Sequence, residues 1–239
     1  MSRALSAERA RPDEAVGVTA VVKRYMDGEQ RIEAVRDVTL SVPPGVLWTL
    51  LGPSGSGKTT LLGLLGGLIL PTRGEARVWG KPVVHMRDHH RTRWRRAHVG
   101  FVFQELALIP RMSLLENVLL PLVPEGRIDD HAFERAHHWL ARVGLEDRVH
   151  SPVERLSGGQ KQRGAIVRAL IHEPEVLLLD EPTAPVDAEN AEAIVAILAT
   201  LRDEGRTVVA STHDPRLAHH PSVNRSIGMR DGGLDDTER

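Results

Sequence analysis

Apolar and polar positions alternate with a period of two from Val16 to Val22 and again from Val35 to Val42, the pattern of strands with one buried face. A solid apolar run, Val46 to Leu51, then leads straight into a glycine-rich turn, as a strand buried on both faces would. The spacing predicts a helix from near Lys58 to about Leu70, closed by Pro71 and the turn Thr72-Arg73-Gly74. Short strands are expected at Glu75 to Trp79 and His98 to Phe103. From Leu106 to about Leu170 the period becomes helical, with Leu114, Leu115, Val118, Leu119 and Leu122 on one face and Phe133, Ala136, Leu140 and Val143 on another. Strand and helix then alternate again: a strand at Glu175 to Leu179, a helix from about Glu189 to Glu204, a strand at Thr207 to Ala210 and a last one near Ser226 to Met229. This order predicts an α/β fold with a mainly parallel sheet covered on both faces. The expected layout is one domain over 16–234, with a helical subdomain at about 106–170. A charged leader over 1–15, read as disordered, and a short tail over 235–239 flank it.

Composition narrows the partners. Across 239 residues, 31 basic and 32 acidic side chains leave a net charge of -1, so no global field draws the chain to nucleic acid, and no nucleic-acid partner is expected. The run Arg91-Thr92-Arg93-Trp94-Arg95-Arg96 reads as a solvated face. The 12 histidines, including His89-His90, His137-His138 and His219-His220, form no ligand set at metal-site spacing and read as surface. Zero cysteines exclude disulfides and thiol chemistry. The longest apolar run, Leu61 to Leu70, falls far short of the roughly 20 residues that a membrane span needs.

Three stretches carry chemistry. Gly52-Pro53-Ser54-Gly55-Ser56-Gly57-Lys58-Thr59, followed by Thr60, fits G-x-x-x-x-G-K-[ST] between a predicted strand and a predicted helix. In such a loop, backbone N–H groups and the helix N-terminus converge on phosphates, with Lys58 reaching the β and γ phosphates and Thr59 holding Mg²⁺. Val176 to Leu179 is an apolar strand that ends in Asp180 and Glu181, at the carboxyl edge of the sheet where ligands bind in open α/β folds. Asp180 can hold Mg²⁺, directly or through water, and Glu181 can act as general base or orient a water in line with the γ phosphate. Leu156-Ser157-Gly158-Gly159-Gln160, entering an apolar helix, offers a second set of free N–H groups at a helix N-terminus.

Together the phosphate loop and this pentapeptide resemble the ATP-binding-cassette (ABC) ATPase family, over nearly everything from Val16 to Leu234. The resemblance implies a P-loop NTPase with a RecA-like parallel-sheet core, an N-terminal antiparallel β region and the inserted helical subdomain. It gives roles to residues that are weak signals alone. Gln104 matches the glutamine loop that contacts metal or attacking water and senses the membrane partner. His213, in Ser211-Thr212-His213-Asp214, matches the switch histidine that donates to the γ phosphate. Tyr25 takes the place of the ring that stacks on adenine, and Asp187 that of the Asp loop. Ser157, Gly158, Gly159 and Gln160 would then act on ATP held by a second copy of the chain or by a homologous ATPase subunit. The closest likeness is to the LolD/MacB/FtsE branch, carried by Leu64-Leu65-Gly66-Gly67-Leu68, Glu116-Asn117-Val118 and Met229-Arg230-Asp231-Gly232-Gly233-Leu234.

That likeness implies an ATPase subunit of an ABC transporter. It would dimerise around two MgATP and drive a separate integral membrane permease from the cytoplasmic face of the membrane, in export or extraction. The alternatives are an FtsE-like mechanotransmission ATPase with no transported substrate, and a switch that binds ATP with negligible turnover. Three departures stand out. The Asp loop is Ala184-Pro185-Val186-Asp187, and Gly164 and Val167 replace the residues usual after the signature. A glycine inside a helix costs about 1 kcal/mol.

Overall fold

The structure, a computed structural model, describes residues 12–126, 128–184 and 186–235; Pro185 and most of the expected leader and tail lie outside them. In chain order the elements are β1 (Val16–Asp27), β2 (Gln30–Val42), β3 (Leu47–Leu51), α1 (Lys58–Leu65), β4 (Arg73–Val78), β5 (Lys81–Pro82), α2 (Asp88–His98), β6 (Val99–Val102), α3 (Leu114–Leu119), α4 (Asp130–Arg142), α5 (Gly158–Leu170), β7 (Val176–Asp180), α6 (Ala188–Asp203), β8 (Thr207–Thr212), α7 (Pro215–Ala218), β9 (Arg225–Arg230) and β10 (Gly233–Asp235). Ala15, just before β1, is buried; its N–H donates to Val42 O and its carbonyl accepts from Trp79 N–H.

Two sheets are present. One is antiparallel, in the order β2-β1-β4-β5. The other runs β10-β9-β3-β8-β7-β6, parallel throughout except for the terminal β9–β10 hairpin. The parallel strands are apolar on both faces because each face covers a different core. Leu177, Leu179, Val208 and Ala210 point into a core closed by α3, α4, α5 and α6. Val176, Leu178, Val209 and Leu50 point into a second core, closed by α1 and the antiparallel sheet.

Several elements differ from the sequence pattern. Helix α1 stops at Leu65 rather than Leu70, because Gly66 and Gly67 follow and Gly67 turns left-handed at φ +63°. Leu68 and Ile69 then donate back to Gly63 O. The β1–β2 hairpin runs on through polar residues to Asp27 and Gln30. The arginine run, expected as a solvated face, is part of α2, an element the pattern missed, and is partly covered, with Arg93 left exposed. Trp94 donates Nε1–H to Val78 O at 2.8 Å, and the Arg91 side chain is only 13% exposed. His98 closes α2 instead of opening a strand; it is buried against Trp94 and bound through Nδ1 to Glu175 at 2.9 Å.

Candidate functional site

The phosphate loop joins β3 to α1 and can turn tightly only with glycine. Gly57 sits at φ +102°, and a Cβ there would lie 2.3 Å from Ala34 O; one on Gly52 would lie 2.2 Å from Met229 O. Lys58, the first helical residue, is folded back over its own loop, its Nζ donating to Gly52 O at 2.8 Å and Pro53 O at 3.1 Å. The loop from Ser54 to Thr60 lines a 260 Å³ cleft together with Ala34, Gln104, Glu181 and His213.

The carboxyl end of β7 brings the acids to this cleft. Thr59 Oγ1 donates to Asp180 Oδ2 at 2.8 Å, and Ser211 Oγ donates to Asp180 Oδ1 at 2.5 Å. The same Ser211 hydroxyl accepts from Glu181 N–H at 3.0 Å. Glu181 sits in the left-handed region at φ +51°, which is costly for a residue with a side chain and recurs at functional sites. The turn aims its carboxylate at two side-chain nitrogens: Lys58 Nζ lies 3.4 Å from Oε1, and His213 Nδ1 lies 2.9 Å from Oε2. The His213 backbone N–H donates to the same Oε2 at 3.2 Å. His213 follows β8 on a turn fixed by Asp214, whose own carboxyl is held below the ordinary aspartate range by its hydrogen bond from Arg216.

Not every expected residue joins this cleft. Tyr25 stands on the β1–β2 ribbon, 40% exposed, with Lys23 Nζ 5.1 Å from its ring centre, and it is not part of the cleft lining. The pentapeptide forms a separate feature at the start of α5. Ser157 caps the helix by accepting from Gln160 N–H while Gln160 Oε1 accepts from Ser157 N–H. Ser157 and Gly158 are exposed, whereas Gly159 is buried. Asp187 caps α6, and hydrogen bonds from Asn190 hold its carboxyl below the ordinary aspartate value. Ser211, Ala34 and Asn190 were not singled out in the sequence. Ser211 faces Asp180 only because β7 and β8 pair in that register.

Comparison with known proteins fits this geometry. A family model described as "ABC transporter" matches residues 35–184. An ABC transporter ATP-binding protein of Bacillus subtilis, YvrO, is 38% identical over 219 residues, 92% of this chain and 95% of that protein. The macrolide export ATP-binding/permease protein MacB of Photorhabdus laumondii is 40% identical over 90% of this chain, which spans only 33% of MacB. Among solved structures, the dimeric post-hydrolysis state of the cassette MJ0796 bound to ADP and Pi superimposes with a TM-score of 0.86, at 38% identity over 94% of this chain and 97% of that one.

Proposed function

Because this chain belongs to the ABC transporter family of ATP-binding cassettes, we propose that it is the ATP-hydrolysing subunit of a transporter whose membrane permease is a separate chain. The convergence of Lys58, Glu181 and His213 on one cleft at the N-terminus of α1 carries the reading. N–H groups of the loop and the helix terminus take the phosphates, and Lys58 exchanges its carbonyl partners for phosphate oxygens. Glu181 orients or deprotonates the attacking water, and His213 donates toward the γ phosphate.

Thr59 and Asp180 are hard oxygen donors joined at 2.8 Å, a pair that would hold Mg²⁺. When bound, the ion would neutralise charge on the transferring phosphoryl group.

The exposed start of α5 carries a second anion-binding terminus that one nucleotide does not need. Ser157 and Gly158 therefore act on the ATP of a second copy, as the dimeric MJ0796 cassette suggests by analogy. Hydrolysis reopens that dimer.

The permease contact is a groove of 440 Å³ beside the cleft. Phe103 lines the groove and Gln104 lines the cleft, so one loop touches both. Phe101, Leu120 and Pro121 make the groove apolar, and Arg95 and Arg168 add guanidiniums hydrogen-bonded to the carbonyls of Gly67, Leu106 and Ala107. Such a surface suits a cytoplasmic permease segment with apolar and acidic side chains. No helix among the described residues is long and apolar enough to cross a membrane. The likeness to MacB favours export or extraction over import.

Hydrolysis per subunit should rise with protein concentration, and Glu181→Gln should lose about 10²- to 10⁴-fold in kcat while accumulating an ATP-bound dimer. A rate per subunit that is independent of concentration, with Glu181→Gln monomeric in MgATP, would sink the reading.

A further inference from the structure

The start of α5 and the start of α6 are tied together by one side chain. Asn190 lies in the first turn of α6, and its backbone N–H donates to Asp187 Oδ1 at 2.9 Å, which is all that the Asp187 cap requires. Its amide does more. Nδ2 donates to both Asp187 carboxylate oxygens at 3.0 Å, and Oδ1 accepts from Arg163 Nη1 at 2.8 Å, across 27 residues of sequence. Arg163 is on α5, one turn beyond the pentapeptide. A carboxylate only accepts and a guanidinium only donates, so a carboxamide between them satisfies both in one orientation alone.

Gly159 closes the joint from the other side. A Cβ there would lie 2.2 Å from Asn190 Oδ1 and 2.4 Å from Asn190 Cγ, so the absence of a side chain lets the amide reach Arg163. The buried second glycine of the pentapeptide is thus a packing surface for Asn190, while its exposed neighbours Ser157 and Gly158 remain open to a ligand.

We infer that Asn190 is a positioning residue that locks the Ser157–Gly158 terminus to the Asp187 turn, so that both meet the second copy's nucleotide as one rigid unit. This rests on the dimer reading above. Residues on two different helices must arrive together at one phosphate, and displacement of about 1 Å at a reacting centre can cost on the order of 100-fold.

The test compares Asn190→Ala, Arg163→Met and their combination. Each is assayed for kcat and KM, for affinity of the dilute monomer for a fluorescent ATP analogue, and, in a Glu181→Gln background, for ATP-dependent dimerisation by sedimentation. Expected are monomer affinity within about twofold of wild type, and kcat lowered roughly 10-fold with a matching rise in the dimer dissociation constant. The double variant should be no worse than the worse single one, because both break the same link. Asn190→Thr, whose hydroxyl can donate to Asp187 and accept from Arg163, should recover most of the loss. Asn190→Asp preserves volume and serves if the alanine variant folds poorly; its carboxylate against Asp187 should produce the same kcat defect. Single variants that hydrolyse and dimerise like wild type, or losses that multiply in the double variant, overturn the clamp. A Glu181→Gln parent that stays monomeric in MgATP overturns the dimer reading instead, and is told apart by that parent alone.

Discussion

Replacing Ser211 with alanine removes one fully buried hydroxyl and takes a hydrogen bond from two partners at once. Asp180 Oδ1 loses a charge-assisted donor at 2.5 Å, a contact worth about 1.5–3 kcal/mol. Glu181 N–H loses an acceptor at 3.0 Å but keeps the Ser211 carbonyl at 3.2 Å, so this second loss is smaller, about 0.5 kcal/mol. The sum is about 2–3.5 kcal/mol. For a chain of this length, that lowers the melting temperature by roughly 4–14 °C. The same hydroxyl fixes the rotamer of Asp180, whose other oxygen accepts from Thr59, so the Mg²⁺ concentration for half-maximal ATPase activity should also rise, by about tenfold. Differential scanning fluorimetry and an ATPase titration in Mg²⁺ at saturating ATP measure the two effects. A melting point within about 1 °C of wild type together with a superimposable Mg²⁺ titration would refute the reasoning, because both partners would then have found other hydrogen bonds.

Three further outcomes follow from the geometry. Gly57→Ala drives a Cβ to within 2.3 Å of Ala34 O at φ +102° and should weaken nucleotide binding on the order of 100-fold by calorimetry; an affinity within threefold of wild type would show that the loop can shift. Gly164→Ala gains about 1 kcal/mol of helix propensity but sets a methyl 2.6 Å from the fully buried Leu114 Cδ1, where overpacking costs about 1–3 kcal/mol. Overpacking should win, and a rise in urea midpoint would contradict that. Asp187 has its folded pKa depressed below 3.8 by Asn190, so its contribution to stability is present above that pH and fades as pH falls through the folded value. Urea midpoints of wild type and Asp187→Asn should therefore differ near pH 7 and converge on acidification below about pH 4; a constant gap across that range would count against the hydrogen bonds as its cause.

The phosphate loop, Asp180 and Glu181 were legible in the sequence because backbone geometry and chemistry dictate their residue types locally. Ser211 was not, since its role appears only when β7 and β8 pair so that Asp180 and Ser211 face each other. Asn190 is equally silent until α5 and α6 meet. Helix α2 escaped because its inward face is built from Trp94 and arginine stems rather than aliphatic residues, so its period is hidden in a run of charge. The reach of α1 was overestimated because Leu68, Ile69 and Leu70 continue the apolar run past Gly66 and Gly67, where the backbone has already turned. Tyr25 lies on the long polar hairpin, paired with Ile32 across a ribbon whose extent alternation did not reveal.

The central sheet gives neighbouring residues different loyalties. On β7, Leu178 supports the core under α1 and the phosphate loop, while Leu177 and Leu179 support the core under α5 and its pentapeptide; on β8 the parity reverses, with Val209 on the first side and Val208 and Ala210 on the second. Damage to the phosphate loop and damage to the start of α5 should therefore sort by odd and even residue number along each strand. A suppressor of an α5 defect should map to Leu179 or Ala210 before it maps to Leu178, although Leu178 is the immediate neighbour of Leu179 in the chain.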